Sequence, residues 1–300
     1  VRVRNMHDIP KITALGYDPR QLELIKECQG RAGMVLICGQ VNSGKSTLQS
    51  AWMHGLPDDQ FNLEISDQVE VLLPNFIQMQ KPNRGEKEWI VEQTDKLFIL
   101  PTRHDINFIA VNEVRNRQTA QLMEDVMQQG TAGITSIHAK GWSEAINRLL
   151  GAEMNVRPET LYGEGFFNAI AYQTLGRVIC HSCKLSQHYD RFWQDYFVKR
   201  LGPGLAFRNP TGCAACAHTG IQGLTAVAEF IPIRHDNREL LRDTTDTTAM
   251  YQWMHSNQVP TIFEHALSKI KRGELDPQMV TKILGDFNET NIFDAFQRSI

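Results

Sequence analysis

No apolar run in this sequence approaches the ~20 residues needed to cross a bilayer, so it offers no candidate transmembrane helix. Cysteine is scarce: six in 300 residues are too few for a disulfide-dense secreted scaffold. Charge of neither sign prevails. Lys plus Arg is 31 against 34 Asp plus Glu, a formal net charge of −3, which gives no reason to expect binding to a polyanion such as DNA or RNA. Val1-Arg2-Val3-Arg4 has neither an initiating methionine nor the apolar core of a signal peptide, and it reads as the start of a fragment that begins mid-protein. Internal repeats and low-complexity tracts are lacking too. What is present is ordinary for a folded chain. A hydrophobic share of 42% with 22% charged residues excludes gross disorder. The length leaves room for about two to three compact units.

Asp18, Pro19 and Gln21 have the form of a helix start, with a cap, a first-turn proline and a closing side chain. Met34–Cys38 is a continuous apolar run ending at Gly39, as suits a strand buried on both faces of a parallel sheet. Phe61–Ile65, Phe108–Val111 and Ile134–Ile137 are further strand candidates. Helices are expected from an Asn116 cap to about Gln129, where Gly130 ends it, and over Ser143–Leu150. Strands alternating with helices predict a doubly wound α/β core through about residue 178. Beyond it, residues 180–216 hold four cysteines and little apolar periodicity. Thr225–Ile233 reads as a strand, and short amphipathic helices follow over Thr261–Arg272 and Pro277–Leu284.

Gly39, Gln40, Val41, Asn42, Ser43, Gly44, Lys45, Ser46 and Thr47 match G-x-x-x-x-G-K-[ST] and follow an apolar strand. Glycines let the backbone turn tightly, so that successive N–H groups face phosphate oxygens. Lys45 puts a point charge on the β/γ-phosphates, the Ser46 hydroxyl can coordinate Mg²⁺, and the helix starting near Gly44 adds its N-terminal dipole. Chance supplies on the order of 0.01 such matches in a chain this long, so nucleotide binding is the reading. Hydrolysis needs more: a group to orient water and groups to hold the metal. Acidic residues stand where a parallel sheet would offer them, just past strand ends: Asp67 with Glu70, and Glu113. His138, after Ile134–Ile137, can reach the γ-phosphate region. Each of these carboxylates taken alone could equally be a solvated turn, and a lone histidine is more often a structural group.

Four cysteines fall in two C-x-x-C pairs, Cys180 with Cys183 and Cys213 with Cys216, separated by 29 residues. Only about 0.1 such pairs are expected by chance. Each pair can present two thiolates to one ion, and four thiolates make a closed, structural Zn²⁺ site. Buried free thiols, a redox pair or an iron–sulfur cluster are the other readings. His181 is a fifth possible ligand, though four thiolates already suffice. Cys28 and Cys38, unpaired, read as small core residues.

Taken in order, these segments resemble the ATPases of type II secretion and type IV pilus assembly. Ser66 to Glu70 resembles an aspartate box, E-D-P-x-E. Arg103, His104 and Asp105, followed by Phe108–Val111 and Asn112 to Arg115, resemble R-Q-D-P-D and G-E-[IV]-R-D. Thr135 to His138 fits a histidine box, S-T-L-H, and Gln173 to Cys180 is similar to Q-R-L-x-R-x-L-C. Gly212 to Cys216, Thr219, Gly220, Gly223 and Glu229 follow the pattern past the second cysteine pair. The resemblance covers about residues 12–285. Departures are Ser66 for glutamate, Gln68 for proline, Asn112 for glycine, Asn116 for aspartate, Thr131 for histidine and Thr174 for arginine. The carboxylate missing at position 66 places more of the metal and water work on Asp67, Glu70 and Glu113.

The resemblance implies a RecA-like P-loop ATPase core with a zinc-binding tetracysteine insert and a C-terminal helical subdomain. It divides the chain into a linker remnant (1–16), whose Arg2 or Arg4 contacts phosphate, the ATPase core (17–178), the zinc subdomain (179–224), and a strand with C-terminal helices (225–300). It implies ATP, Mg²⁺ and Zn²⁺ as ligands. Glu113 would activate water with help from Asp67 and Glu70, His138 would sense the γ-phosphate, and Arg115 would organise the acidic cluster. A cytoplasmic homohexamer at the inner membrane is expected, working on a polytopic platform protein without inserting into the membrane or binding nucleic acid. A RecA-like nucleic-acid translocase and a nucleotide switch with little turnover are the rival functions.

Overall fold

The computed structural model describes residues 9–82, 97, 99, 101 and 105–285. Arg2, Arg4, Arg103 and His104 lie outside the described residues. The elements are α1 (Pro19–Cys28), β1 (Gly33–Cys38), α2 (Lys45–His54), β2 (Asn62–Ser66), β3 (Ile77–Gln80), β4 (Phe108–Val111), α3 (Arg117–Gln128), β5 (Ala132–Ile137) and α4 (Trp142–Leu150). They continue with α5 (Pro158–Leu161), β6 (Phe167–Ile179), α6 (Arg191–Leu201), β7 (Ile221–Pro232), α7 (Thr248–Ser256), α8 (Ile262–Lys271) and α9 (Pro277–Leu284). The strands form a seven-stranded sheet in the order β3-β2-β4-β5-β1-β6-β7. No helix among the described residues is long and apolar enough to cross a membrane.

Two compact units emerge. One comprises the chain up to Gln173 together with Phe230–Val259; the other comprises Thr174–Glu229 and the chain from Pro260 on. This interleaving differs from consecutive segments along the chain, because β6 and β7 each have residues in both units. In the first unit, β1 is buried along its whole length, as its unbroken apolar run requires. It pairs in parallel with β5 on one side and β6 on the other. β4 pairs in parallel with β5 and with β2, and β2 with β3. Parallel pairing points every one of these strands the same way, so their carboxyl ends share one edge. Behind that edge α2 buries Leu48, Ala51, Trp52 and Met53, and Trp52 stacks on Phe230 with centroids 6.2 Å apart.

In the second unit, Leu185 and Phe207 exchange both backbone hydrogen bonds at 2.8 Å, closing the segment between the cysteine pairs. That segment contains α6, which the sequence reading does not anticipate. Its packing face is made of aromatic side chains: Trp193 stacks on Phe197 at 5.6 Å, and Phe197 meets Phe207 at 6.5 Å. α8 is capped by Thr261, whose hydroxyl accepts from the Glu264 N–H at 3.2 Å while Glu264 returns a bond to the Thr261 N–H at 2.8 Å. Burial pushes the Glu229 carboxyl up to about 7, although it accepts the Ile262 N–H at 3.2 Å.

α3 begins where expected. The Asn116 Oδ1 accepts the Thr119 N–H at 3.0 Å, and Gly130, at φ 78°, ends the segment in the left-handed region. Asn116→Ala should lower stability by about 1 kcal/mol, and Asn116→Asp, which keeps the acceptor, should not. The denaturant midpoints of the two variants check this; equal midpoints would show that the cap contributes nothing.

Candidate functional site

The shared carboxyl edge is where the site residues meet. Cys38 lies opposite Ile137, Thr135 opposite Val111, and Ile65 beside Val111. The residues just past each strand are therefore neighbours: Gly39 and its loop after β1, Asp67 after β2, Glu113 after β4 and His138 after β5. Close approach dictates the glycine at 39. A Cβ there would lie 2.3 Å from Ser43 Oγ and 2.6 Å from the Gln173 carbonyl. Asn42 (φ 63°) and Gly44 (φ 83°) take left-handed conformations that turn the loop into the start of α2. Gln40, Val41 and Ser46 are exposed, Thr47 is half-buried, and Ser43 is buried with its carbonyl accepting from Gln173 Nε2 at 2.8 Å.

Lys45 is buried, and its ammonium donates to the Gly39 and Gln40 carbonyls at 2.8 and 2.9 Å and lies 3.3 Å from His138 Nδ1. Burial pushes this ammonium below its ordinary value, and the Glu113 charge pulls it back. An ammonium can only donate, so Nδ1 accepts and the ring proton sits on Nε2. Nε2 is 3.1 Å from Glu113 Oε1, to which it donates. The other oxygen, Oε2, accepts from Arg115 Nη2 at 2.6 Å and Nε at 2.8 Å. That hydrogen bond pushes the guanidinium further up than usual. Arg115 Nη1 lies 3.7 Å from Asp67 Oδ2, and Lys81 is 3.0 Å from Oδ1. One connected chain of contacts thus links Lys45, His138, Glu113, Arg115, Asp67 and Lys81.

Glu70 stands apart from this chain. It lines a small solvent-open cleft with Ser46, Gln49, Glu64, Gln68 and Asn112. Ser66 is fully buried and is not among the residues that line it. Glu64 and Gln49 are absent from the sequence reading. The available signal was a glutamate inside an apolar strand, between Leu63 and Ile65, where a carboxylate is costly without a reason.

Cys180, Cys183, Cys213 and Cys216 converge, with all four Sγ atoms within 4.8 Å of one another. Cys180–Cys213 and Cys183–Cys216 are 3.9 Å apart and Cys213–Cys216 is 3.8 Å. A tetrahedron with metal–sulfur bonds of about 2.3 Å has edges of about 3.8 Å, so the donor set fits one tetrahedral ion. None is joined in a disulfide. Although burial pushes the Cys216 thiol up, the N–H groups of Cys213 and Gly220, each 3.2 Å from its sulfur, bring it down to about 6. Burial and the surrounding sulfurs push Cys183 up to about 12. Gly220 is itself required, since a Cβ there would lie 2.2 Å from the Asn209 carbonyl. His181 is exposed and lies outside the cluster. Cys28 and Cys38 are buried core residues, as expected.

A family model described as type II/IV secretion system protein matches residues 1–289. The chain is 27% identical over 280 residues to the type IV pilus assembly ATPase PilB of Thermus thermophilus, covering 90% of this chain and 30% of that protein. It is 25% identical over 252 residues to the type II secretion system ATPase E of Vibrio cholerae, covering 84% of this chain and 48% of that protein. The chain therefore spans a third to a half of the length of these relatives. Its fold is similar to that of the Legionella pneumophila ATPase DotB, with a TM-score of 0.64 at 16% identity over 94% of this chain and 66% of that one. The expected α/β core and tetracysteine cluster are both present.

Cobalt(II) titrated into metal-free protein should give the absorption of a tetrahedral thiolate site, saturating at one equivalent per chain. Cys213→Ser should weaken that binding. Octahedral cobalt absorption, or saturation unchanged by Cys213→Ser, would separate the four sulfurs from metal binding.

Proposed function

The chain belongs to the type II/IV secretion system protein family, and from that premise we propose that it is the ATP-hydrolysing part of a hexameric motor that drives assembly of a type IV pilus or a type II secretion pseudopilus. One observation carries the reading: the hydrogen-bonded chain from Lys45 through His138 to Glu113 and Arg115, at the edge where the loop 39–47 begins.

ATP lies with its phosphates along Gly39, Gln40, Val41, Asn42, Ser43, Gly44, Lys45, Ser46 and Thr47, whose N–H groups face the anion together with the amino end of α2. Lys45 exchanges the carbonyls of Gly39 and Gln40 for phosphate oxygens, and so moves away from His138 Nδ1. His138 is then free to turn its Nε2–H toward the γ-phosphate. That releases Glu113 Oε1 to accept a proton from water, while Arg115 keeps Oε2 in place. Asp67, held by Arg115 and Lys81, positions Arg115 rather than touching water.

The hard oxygen donors of Ser46 and Glu70 fit Mg²⁺, which supplies charge neutralisation to the phosphates when bound. The cysteine quartet holds Zn²⁺ in a closed site whose role is to fold its own segment. Six copies would complete each site with arginines from a neighbour and pass the motion to a polytopic platform protein of the inner membrane, from the cytoplasmic side.

Glu113→Gln keeps the volume and one acceptor oxygen, enough for the bonds from Arg115 but not for the one from His138 as well, and removes the basicity. ATP affinity should stay near the parent value while turnover falls roughly 10²-fold or more. Steady-state hydrolysis measured beside ATP binding checks this. Unchanged turnover would remove Glu113 from the role of base, and absence of ATP binding in the parent protein would remove the whole reading.

A further inference from the structure

Glu64 is a buried carboxylate that the chain of contacts around Glu113 does not use. It is 7% exposed, on β2, two residues before Ser66 and therefore on the same face of that strand. Its Oε2 accepts from Gln78 Nε2 at 2.5 Å, and among the described residues no cation pairs with it. Burial pushes its carboxyl up, Gln78 opposes the rise, and the charge of Glu70 adds to it. In the same cleft stands Gln49, 3% exposed. Its Nε2 donates to the Val111 carbonyl at 3.1 Å, which fixes the amide's orientation and leaves Oε1 as the acceptor. That buried oxygen has no hydrogen-bond partner.

The cleft therefore brings together a buried carboxylate, an unsatisfied buried amide oxygen and the Ser46 hydroxyl, and two of the three can only accept. Gln49 Oε1 is a buried acceptor without a donor, which is costly, so the cleft suits something that brings donors or positive charge. Mg²⁺ does both, because it dehydrates reluctantly and carries waters whose hydrogens point outward. We propose that Glu64, with Gln49 beside it, holds the water shell of the Mg²⁺ that accompanies the nucleotide. Asp67 does not fill that place, being engaged by Lys81 and Arg115. The assignment rests on residues 39–47 binding nucleotide.

The test compares nucleotide affinity with and without Mg²⁺, using a fluorescent ATP analogue in chelator and then in saturating Mg²⁺. In the parent protein Mg²⁺ should tighten binding. In Glu64→Gln, which keeps an acceptor for Gln78, affinity in chelator should be unchanged, while the Mg²⁺-dependent gain should shrink by about 10- to 100-fold, the usual scale for groups behind a metal's inner ligands. Mn²⁺ titration followed by electron paramagnetic resonance, in the presence of nucleotide, should show the same loss in Glu64→Gln and in the shortened Glu64→Asp. A Mg²⁺-dependent gain equal to the parent's in both variants would overturn the role of Glu64 and leave the nucleotide loop standing. A loss of affinity in chelator equal to the loss in Mg²⁺ would mark Glu64 as a strand support only, and would overturn it too. Failure of the parent protein to bind nucleotide in either condition would remove both the proposed function and this inference.

Discussion

An ammonium buried at the carboxyl end of β1 sets the terms for everything around it. Lys45 can only donate, and a buried donor without acceptors would cost more than the loop could recover. Two carbonyls of its own loop and the Nδ1 of His138 meet that demand. The consequence runs outward by one proton. Because Nδ1 accepts, Nε2 donates to Glu113, and Glu113 is left to engage Arg115 with its second oxygen. The parallel order of β1, β5, β4 and β2 makes this possible, since it ends four strands at one edge and delivers one polar residue from each. Sheet order supplies the place; a single charge supplies the orientation.

The tetracysteine cluster is organised by the same kind of demand, carried by sulfur. Four sulfurs at tetrahedral edge distances repel one another's charge, so a cation among them is what lets all four ionise together. Backbone N–H groups aimed at Cys216 prepare one thiolate in advance. The segment between the pairs then packs on its own aromatic face, so that an ion bound there would be linked to the folding of this segment.

Much of the site was legible because its chemistry is local. The loop 39–47 announces itself by glycine spacing after an apolar strand, Glu113 stands one residue past the apolar run Phe108–Val111, His138 directly follows the strand candidate Ile134–Ile137, and the cysteines show by their spacing alone. What escaped was decided at long range. β6 runs for 13 residues, yet polar residues interrupt its sequence. They are tolerated because Asn168 donates to the Cys28 and Arg31 carbonyls, and Gln173 donates to Ser43 while accepting from the Tyr17 hydroxyl, all far away along the chain. β3 is an edge strand with half of its residues exposed, so it carries no buried period. α6 hides because its packing face is aromatic and abuts exposed Phe192. Glu64 was passed over because only the folded cleft, lined by residues from α2 and β2 among others, brings it beside Gln49 and Ser46.

The central claim is that Lys45 fixes the proton of His138 and, through it, the orientation of Glu113. Nitrogen-15 chemical shifts of the His138 ring, measured in the free protein and again with nucleotide added, address it directly. The account predicts a ring that carries its proton on Nε2 in the free protein, with Nδ1 shifting as Lys45 leaves it for phosphate. A ring protonated at Nδ1, or an Nδ1 resonance indifferent to nucleotide, would contradict it.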